Sequence, residues 1–142
     1  ELKLLISGKG NEHLKYLVKQ CDLEKRIVFT GFIDNNDLPN YYSNAEVVVV
    51  PSFCEGFGLP ALEAMSCGSP VISSNLGALP EVVEDAGVYI DPYSLSSMAE
   101  AIDKVISSCK LQYDLRLRGF KQARKFSFGL SAGKVCSLID AS

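Results

Sequence analysis

The run Val47-Val48-Val49-Val50 constrains the fold of this chain more than any other feature. It is extended by preference and carries no polar alternation, so both of its faces must be covered. Strands of that kind are the interior strands of parallel sheets, where helices pack on either side. The neighbouring segments repeat the theme, because short runs rich in Val and Ile alternate with stretches of helical period. Residues 2–6 read as a strand followed by the turn Ser7-Gly8-Lys9-Gly10, and Leu14, Leu17 and Val18 then recur at helical spacing. Ile27-Val28-Phe29 is a second strand, closed by Thr30-Gly31, and Asp34-Asn35-Asn36-Asp37 is a turn and helix cap leading into Leu38, Tyr41 and Tyr42. Pro51-Ser52 ends the valine strand. Residues 59–65 read as a helix that Cys67-Gly68-Ser69-Pro70 stops. Val71-Ile72-Ser73 and Val88-Tyr89-Ile90 are further strands, and from Ser94 the pattern is helical almost to the end. Strand–helix alternation of this kind predicts an α/β fold, a doubly wound Rossmann-like parallel sheet with helices on both faces.

The chain has 142 residues, enough for one domain with a sizeable core. Its formal net charge of −3 leaves no electrostatic case for binding nucleic acid or an anionic membrane surface. Arg116, Arg118, Lys121, Arg124 and Lys125 collect near the end but spread around a helix, which reads as a solvated surface. Five widely spaced cysteines without a C-x-x-C argue against a disulfide framework or a zinc site and for a reducing, cytoplasmic compartment. His13 is the sole histidine, so a His-dependent triad is excluded within this chain. No apolar run approaches the roughly 18 residues that span a bilayer, and no signal peptide is expected. The abrupt opening inside an apolar run, without an initiator Met, is what an excised piece of a longer protein would show.

In open parallel sheets, ligands bind at the carboxyl ends of the strands. The loop after the valine strand carries the densest chemistry: Pro51-Ser52-Phe53-Cys54-Glu55-Gly56-Phe57-Gly58-Leu59-Pro60-Ala61-Leu62-Glu63. Gly56 and Gly58 would let the main chain approach a ligand and adopt backbone angles closed to other residues. The helix that follows offers unpaired N–H groups and a favourable dipole, which suits a pyrophosphate. A carboxylate at Glu63 can accept two hydrogen bonds from a vicinal diol, so a ribose is a natural partner. Glu55 stands at the mouth of the loop, where a second carboxylate could hold another polyol. Each part has a bland alternative: a purely structural G-x-G turn, a solvated or capping Glu63, Phe57 as a core plug.

Glu55 and Glu63, with seven residues between them, resemble the E-x7-E signature of retaining glycosyltransferases of the GT-B fold. The longer string Glu55-Gly56-Phe57-Gly58-Leu59-Pro60…Leu62-Glu63-Ala64-Met65…Gly68…Pro70-Val71-Ile72 is similar to glycosyltransferase family 4, or "group 1". Val28-Phe29-Thr30-Gly31-Phe32, Leu38…Tyr41-Tyr42…Ala45-Glu46, Gly77-Ala78-Leu79-Pro80-Glu81-Val82-Val83 and Phe126-Ser127-Phe128 extend the likeness over nearly the whole chain.

The resemblance implies one half of a GT-B fold. Residues 1–142 would be a single C-terminal nucleotide-sugar-binding domain, with the N-terminal acceptor domain absent. It implies that Glu63 holds the donor ribose and that Glu55 contacts the donor sugar near the reacting centre, as the catalytic residue. Gly56, Phe57, Gly58 and Leu59 would meet sugar hydroxyls and phosphates through their main chain, and the base would lie near Phe32 and Ile33. Gly8, within Gly8-Lys9-Gly10, would line the donor pocket, or else simply form a tight turn. Gly77-Ala78 departs from the commoner Gly-Gly. The implied donor is a nucleoside diphosphate sugar, UDP- or GDP-linked, used without a cofactor or metal. The acceptor (a glycan, lipid or small molecule) and any contact with the inner face of a membrane would belong to the missing domain. A basic pair that usually meets the pyrophosphate, from upstream of the first strand, would be missing too, so the fragment is expected to bind donor weakly and turn nothing over. The alternatives are an inactive sugar-nucleotide-binding module, a GT-B-like epimerase or phosphorylase, and a dinucleotide-binding oxidoreductase. The last is disfavoured because Gly8-Lys9-Gly10-Asn11-Glu12-His13 lacks the third glycine of G-x-G-x-x-G.

Overall fold

The computed structural model describes residues 2–140; Glu1 and residues 141–142 lie outside the described residues. The chain divides into two compact units, Glu1–Leu38 and Pro39–Ser142.

In the first unit, β1 (Leu4–Ser7) and β2 (Ile27–Gly31) pair in parallel, joined by α1 (Glu12–Gln20). Parallel neighbours cannot be linked by a tight turn, and the helix supplies the crossover. Asn11 starts α1 in extended conformation, its side chain accepting the Leu14 N–H at 2.7 Å. The predicted first strand is shifted: pairing begins at Leu4, opposite Ile27, where the Leu4 N–H donates to the Arg26 carbonyl at 2.8 Å. A bulge after Ile6 brings Ser7 opposite Gly31, and the two loop glycines then bond to each other, Gly8 N–H to Gly31 O at 2.8 Å and the reverse at 3.1 Å.

The second unit begins within α2 (Leu38–Ser43) and holds β3 (Val48–Val50), β4 (Val71–Ser74) and β5 (Gly87–Ile90), all parallel, in the order β3-β4-β5. Between them lie α3 (Leu59–Ser66), α4 (Leu79–Val83) and a 3-10 turn at Glu84–Ala86; α5 (Leu95–Ile106), α6 (Cys109–Ala123) and α7 (Phe128–Asp140) follow. The middle strand is β4, and all four of its residues are buried. Along the valine run the side chains divide by the period of two that a strand imposes. Val48 and Val50 join Val71 in a cluster with Ala61, Ala64, Met65 and Leu79, from α3 and α4. Val47 and Val49 face Ile72, Ile90, Ala101, Val105 and Leu115, the α5 and α6 side. The sheet of this unit is therefore covered on both faces, as the unbroken apolar run requires. Each fully buried side chain of this kind contributes about 1.5–3 kcal/mol.

The continuous helical pattern after Ser94 breaks into three helices. Ser94 and Ser108 each cap a new start, accepting the N–H of Ser97 and of Leu111, both at 3.2 Å. A serine oxygen that satisfies free N–H groups makes a break as favourable as continuation. The basic residues near the end are not all simply solvated. Arg118 donates to the Asp85 carbonyl at 2.5 Å, and Lys125 bridges Glu84 at 2.8 Å. The hydrogen bonds from Lys125 and Gln122 hold the Glu84 carboxyl below its usual range.

Candidate functional site

Residues 51–58 leave the carboxyl end of β3 and enter α3. Glu55 is half-buried there, its Oε1 accepting the Ser52 hydroxyl at 2.9 Å. The main chain of Glu55 is held from the loop after β4, where the Ala78 N–H donates to its carbonyl at 3.4 Å. Gly77 lies so close that an added Cβ would stand 3.1 Å from the Glu55 oxygen and 3.2 Å from its nitrogen, at a φ of +62°. Any side chain at 77 would push the backbone of Glu55 away. The Gly77→Ala variant is expected to lower stability by about 1–3 kcal/mol. Urea denaturation of the two proteins checks this.

Of the two glycines flanking Phe57, only Gly58 needs a special backbone. Its φ is +100° where it starts α3, and an added Cβ would meet Leu79 Cδ2 at 2.6 Å. Gly56 has no positive φ and nothing within 4 Å of a built Cβ, so its contribution is open space above the main chain. The expectation of unusual angles thus holds at Gly58 and fails at Gly56. Phe57 is no core plug either. Its ring is 41% exposed and meets Phe126 edge-on, centroids 5.7 Å apart. The Phe128 side chain, in the same sequence motif as Phe126, lies outside those described.

At the start of α3 the Ala61 and Leu62 N–H groups both donate to the Gly58 carbonyl, at 3.1 and 3.2 Å. Among the described residues the N–H groups of Gly56, Phe57, Gly58 and Leu59 find no protein acceptor, leaving a row of donors at the helix start. Such a row suits an anion. Glu63, on the second turn of α3, is exposed, and its Oε2 accepts the Tyr42 hydroxyl at 3.0 Å. Tyr42 is anchored at its other end, where the buried Ser69 hydroxyl donates to its carbonyl. Burial first, and the hydrogen bond to Glu63 second, push the Tyr42 phenol up to about 12. Tyr42 is therefore a neutral donor throughout the ordinary pH range.

Glu55, Gly56, Phe57, Gly58, Leu59 and Glu63 all belong to the second unit, on one loop and the helix it enters. Gly8 and Ile33 belong to the first. Gly8 has a φ of +99° and is paired with Gly31, and Ile33 is half-buried in the loop after β2. Sequence reasoning missed three supports: Ser52 on Glu55, Gly77 against the Glu55 main chain, and Tyr42 on Glu63. The last two join positions 21 or more residues apart, which no local periodicity reports. The adjacent tyrosines and the serine after Gly68 were the available signals. Among the described residues, no group of three or more His, Cys, Asp or Glu is placed to hold a metal ion, and no helix is long and apolar enough to cross a membrane.

The sequence matches the family model described as "Glycosyl transferases group 1" over residues 1–124. The chain belongs to that family. Among curated glycosyl transferases, the O-antigen chain mannosyltransferase B of Escherichia coli is 42% identical over 128 residues, 88% of this chain and 34% of that protein. This chain thus spans about a third of that relative's length. A crystal structure of the C-terminal domain of a glycosyl transferase group 1 family protein from Francisella tularensis is 40% identical, covers 80% of this chain and 60% of that one, and has a TM-score of 0.72. The Anabaena protein HepE, solved in complex with UDP, shares the fold at 22% identity and a TM-score of 0.89, covering 99% of this chain and 41% of that one. The fold is the Rossmann-like α/β architecture of GT-B glycosyltransferases, to which the group 1 members belong.

Proposed function

We propose that this chain is the C-terminal, donor-binding domain of a retaining glycosyltransferase of family 4, one that moves a sugar from a UDP- or GDP-linked donor to a glycan, lipid or small-molecule acceptor. The observation that carries the reading is the pair of glutamates on either side of the unpaired N–H row, each held by its own hydroxyl. The spacing gives the site three kinds of group. Glu63 accepts from the ribose diol, the N–H groups meet the diphosphate, and Glu55 faces the sugar near its anomeric carbon. As the bond from that carbon to the phosphate oxygen breaks, positive charge grows on the sugar and negative charge on the leaving diphosphate. A fixed carboxylate and fixed helix-start dipoles stabilise those two charges respectively, with no metal or cofactor required. The acceptor oxygen then bonds to the anomeric carbon on the face the diphosphate left, and its proton departs with the phosphate.

The mannosyltransferase relative makes a mannosyl group the first sugar to test, and the UDP complex of the structural neighbour makes uridine the first base. Gly8 and the main chain near Ile33 are assigned to the donor pocket on the family resemblance alone. A cytoplasmic location is assigned on the sequence alone, from five widely spaced cysteines without a C-x-x-C. Acceptor recognition is assigned to a domain outside this chain. Titrating the protein with UDP, GDP, ADP and their sugar conjugates by calorimetry should show one base preferred. Glu63→Ala should weaken that binding by about ten-fold or more, as loss of hydrogen bonds to a charged group does. Binding unaffected by the substitution would point instead to a module that does not use this pair, and absence of binding in the full-length protein would sink the transferase reading.

A further inference from the structure

We propose that Tyr42 is a positioning residue: it holds the Glu63 carboxylate ready for a ribose diol, and so makes the site prefer ribonucleotide over 2′-deoxyribonucleotide donors. The inference rests on the assignment of Glu63 to the ribose. Glu63 is exposed on α3, and left to itself such a side chain rotates freely about three torsions. Tyr42 removes that freedom before any ligand arrives. Its ring packs against the core cluster of Ala61, Ala64 and Met65, and Ser69, 1% exposed, fixes its carbonyl. A phenol anchored at both ring and backbone presents its hydroxyl at one place, 3.0 Å from Glu63 Oε2.

The geometry also leaves the right capacity. An ionised carboxylate offers about four acceptor positions, two on each oxygen. Tyr42 occupies one on Oε2. One remains there and two on Oε1, enough for both hydroxyls of a vicinal diol, one to each oxygen. A 2′-deoxyribose can supply one of these two bonds and would leave an ordered carboxylate half-used. Pre-ordering thus strengthens binding of the diol more than of its deoxy analogue, because the diol alone draws on both oxygens in their held position. The phenol stays protonated well above neutral pH, so the support does not switch off over the working range. A purely structural Tyr42–Glu63 bond, tying α2 to α3, would stabilise the fold equally but would not distinguish the two sugars.

The test is calorimetric titration of the protein and of Tyr42→Phe, Glu63→Ala and the double variant, each with UDP and GDP and with 2′-deoxy-UDP and 2′-deoxy-GDP. Tyr42→Phe keeps the ring in the core and is expected to weaken the better ribonucleotide by about ten-fold while changing its deoxy counterpart by less than about two-fold. The double variant is expected to bind no more weakly than Glu63→Ala. Glu63→Asp, exposed and so no threat to the fold, withdraws the carboxylate by one methylene from the hydroxyl and should lose the same selectivity. Equal weakening of ribo and deoxy ligands by Tyr42→Phe, or none, with Glu63→Ala still impaired, overturns the positioning role and leaves the assignment of Glu63 standing. Unimpaired binding by Glu63→Ala overturns both.

Discussion

On the function proposed above, replacing Glu55 by Gln is expected to lower kcat for sugar transfer by about 10²- to 10³-fold, the usual cost of losing one preorganised electrostatic group at a charged transition state. Nucleotide affinity should change little, because the substitution keeps the side chain's length and volume and an oxygen for the Ser52 hydroxyl. What it removes is the negative charge assigned to the developing cation on the sugar. That effect belongs to the transition state and should appear in kcat and kcat/KM equally. The measurement is sugar transfer to acceptor under donor saturation, beside calorimetric affinity for the free nucleoside diphosphate. A kcat within about three-fold of wild type would mean that the charge at 55 plays no part in the chemical step.

Gly58→Ala should cost about 2–4 kcal/mol of stability, and Leu79→Ala about 2–5 kcal/mol. The first figure combines an alanine forced to a φ of +100° with a methyl group placed 2.6 Å from Leu79 Cδ2. Leu79 cannot simply swing away, since it is fully buried between the helices and the sheet of the second unit. The second figure is the transfer and cavity cost of truncating a core leucine. Together the two changes should cost less than their sum by about 1 kcal/mol or more, because the truncated side chain no longer occupies the space the new methyl needs. Urea denaturation of the four proteins closes this cycle. Strict additivity would show that backbone strain, not the contact with Leu79, is why a glycine starts α3.

Much of the second unit could be read from the chain. The valine run implied a strand covered on both faces, and Val48 and Val50 do face one helical layer while Val47 and Val49 face the other. The helix after Gly58 ends at Ser66, one residue beyond the expected end. These succeed because strand and helix periods are local, and the same residues that set the period make the buried contacts. The failures are local rivalries that packing or capping resolves. The first strand starts at Leu4, where its pairing with Ile27 begins. The helical stretch after Ser94 is cut at Ser108, whose side chain competes for the backbone. The two glycines of the loop looked alike in the chain, yet only Gly58 takes a positive φ.

The candidate site divides along the same line. Sequence alone determined its residue types and order: two carboxylates with seven residues between them, a glycine-containing turn in that interval and a helix start after a buried strand. Chain connectivity was enough for that, because all of these lie within a few residues of one another. The Glu55 carboxylate is met by Ser52, three residues away, but only tertiary structure decided how Glu63 and the main chain of Glu55 are held. Tyr42 reaches Glu63 from 21 positions away, and the loop bearing Gly77 and Ala78 closes on the Glu55 main chain. Such supports depend on which strand neighbours which and on how α2 and α3 pack. Their hydrogen bonds form between groups that share no period, so nothing in the local pattern announces them.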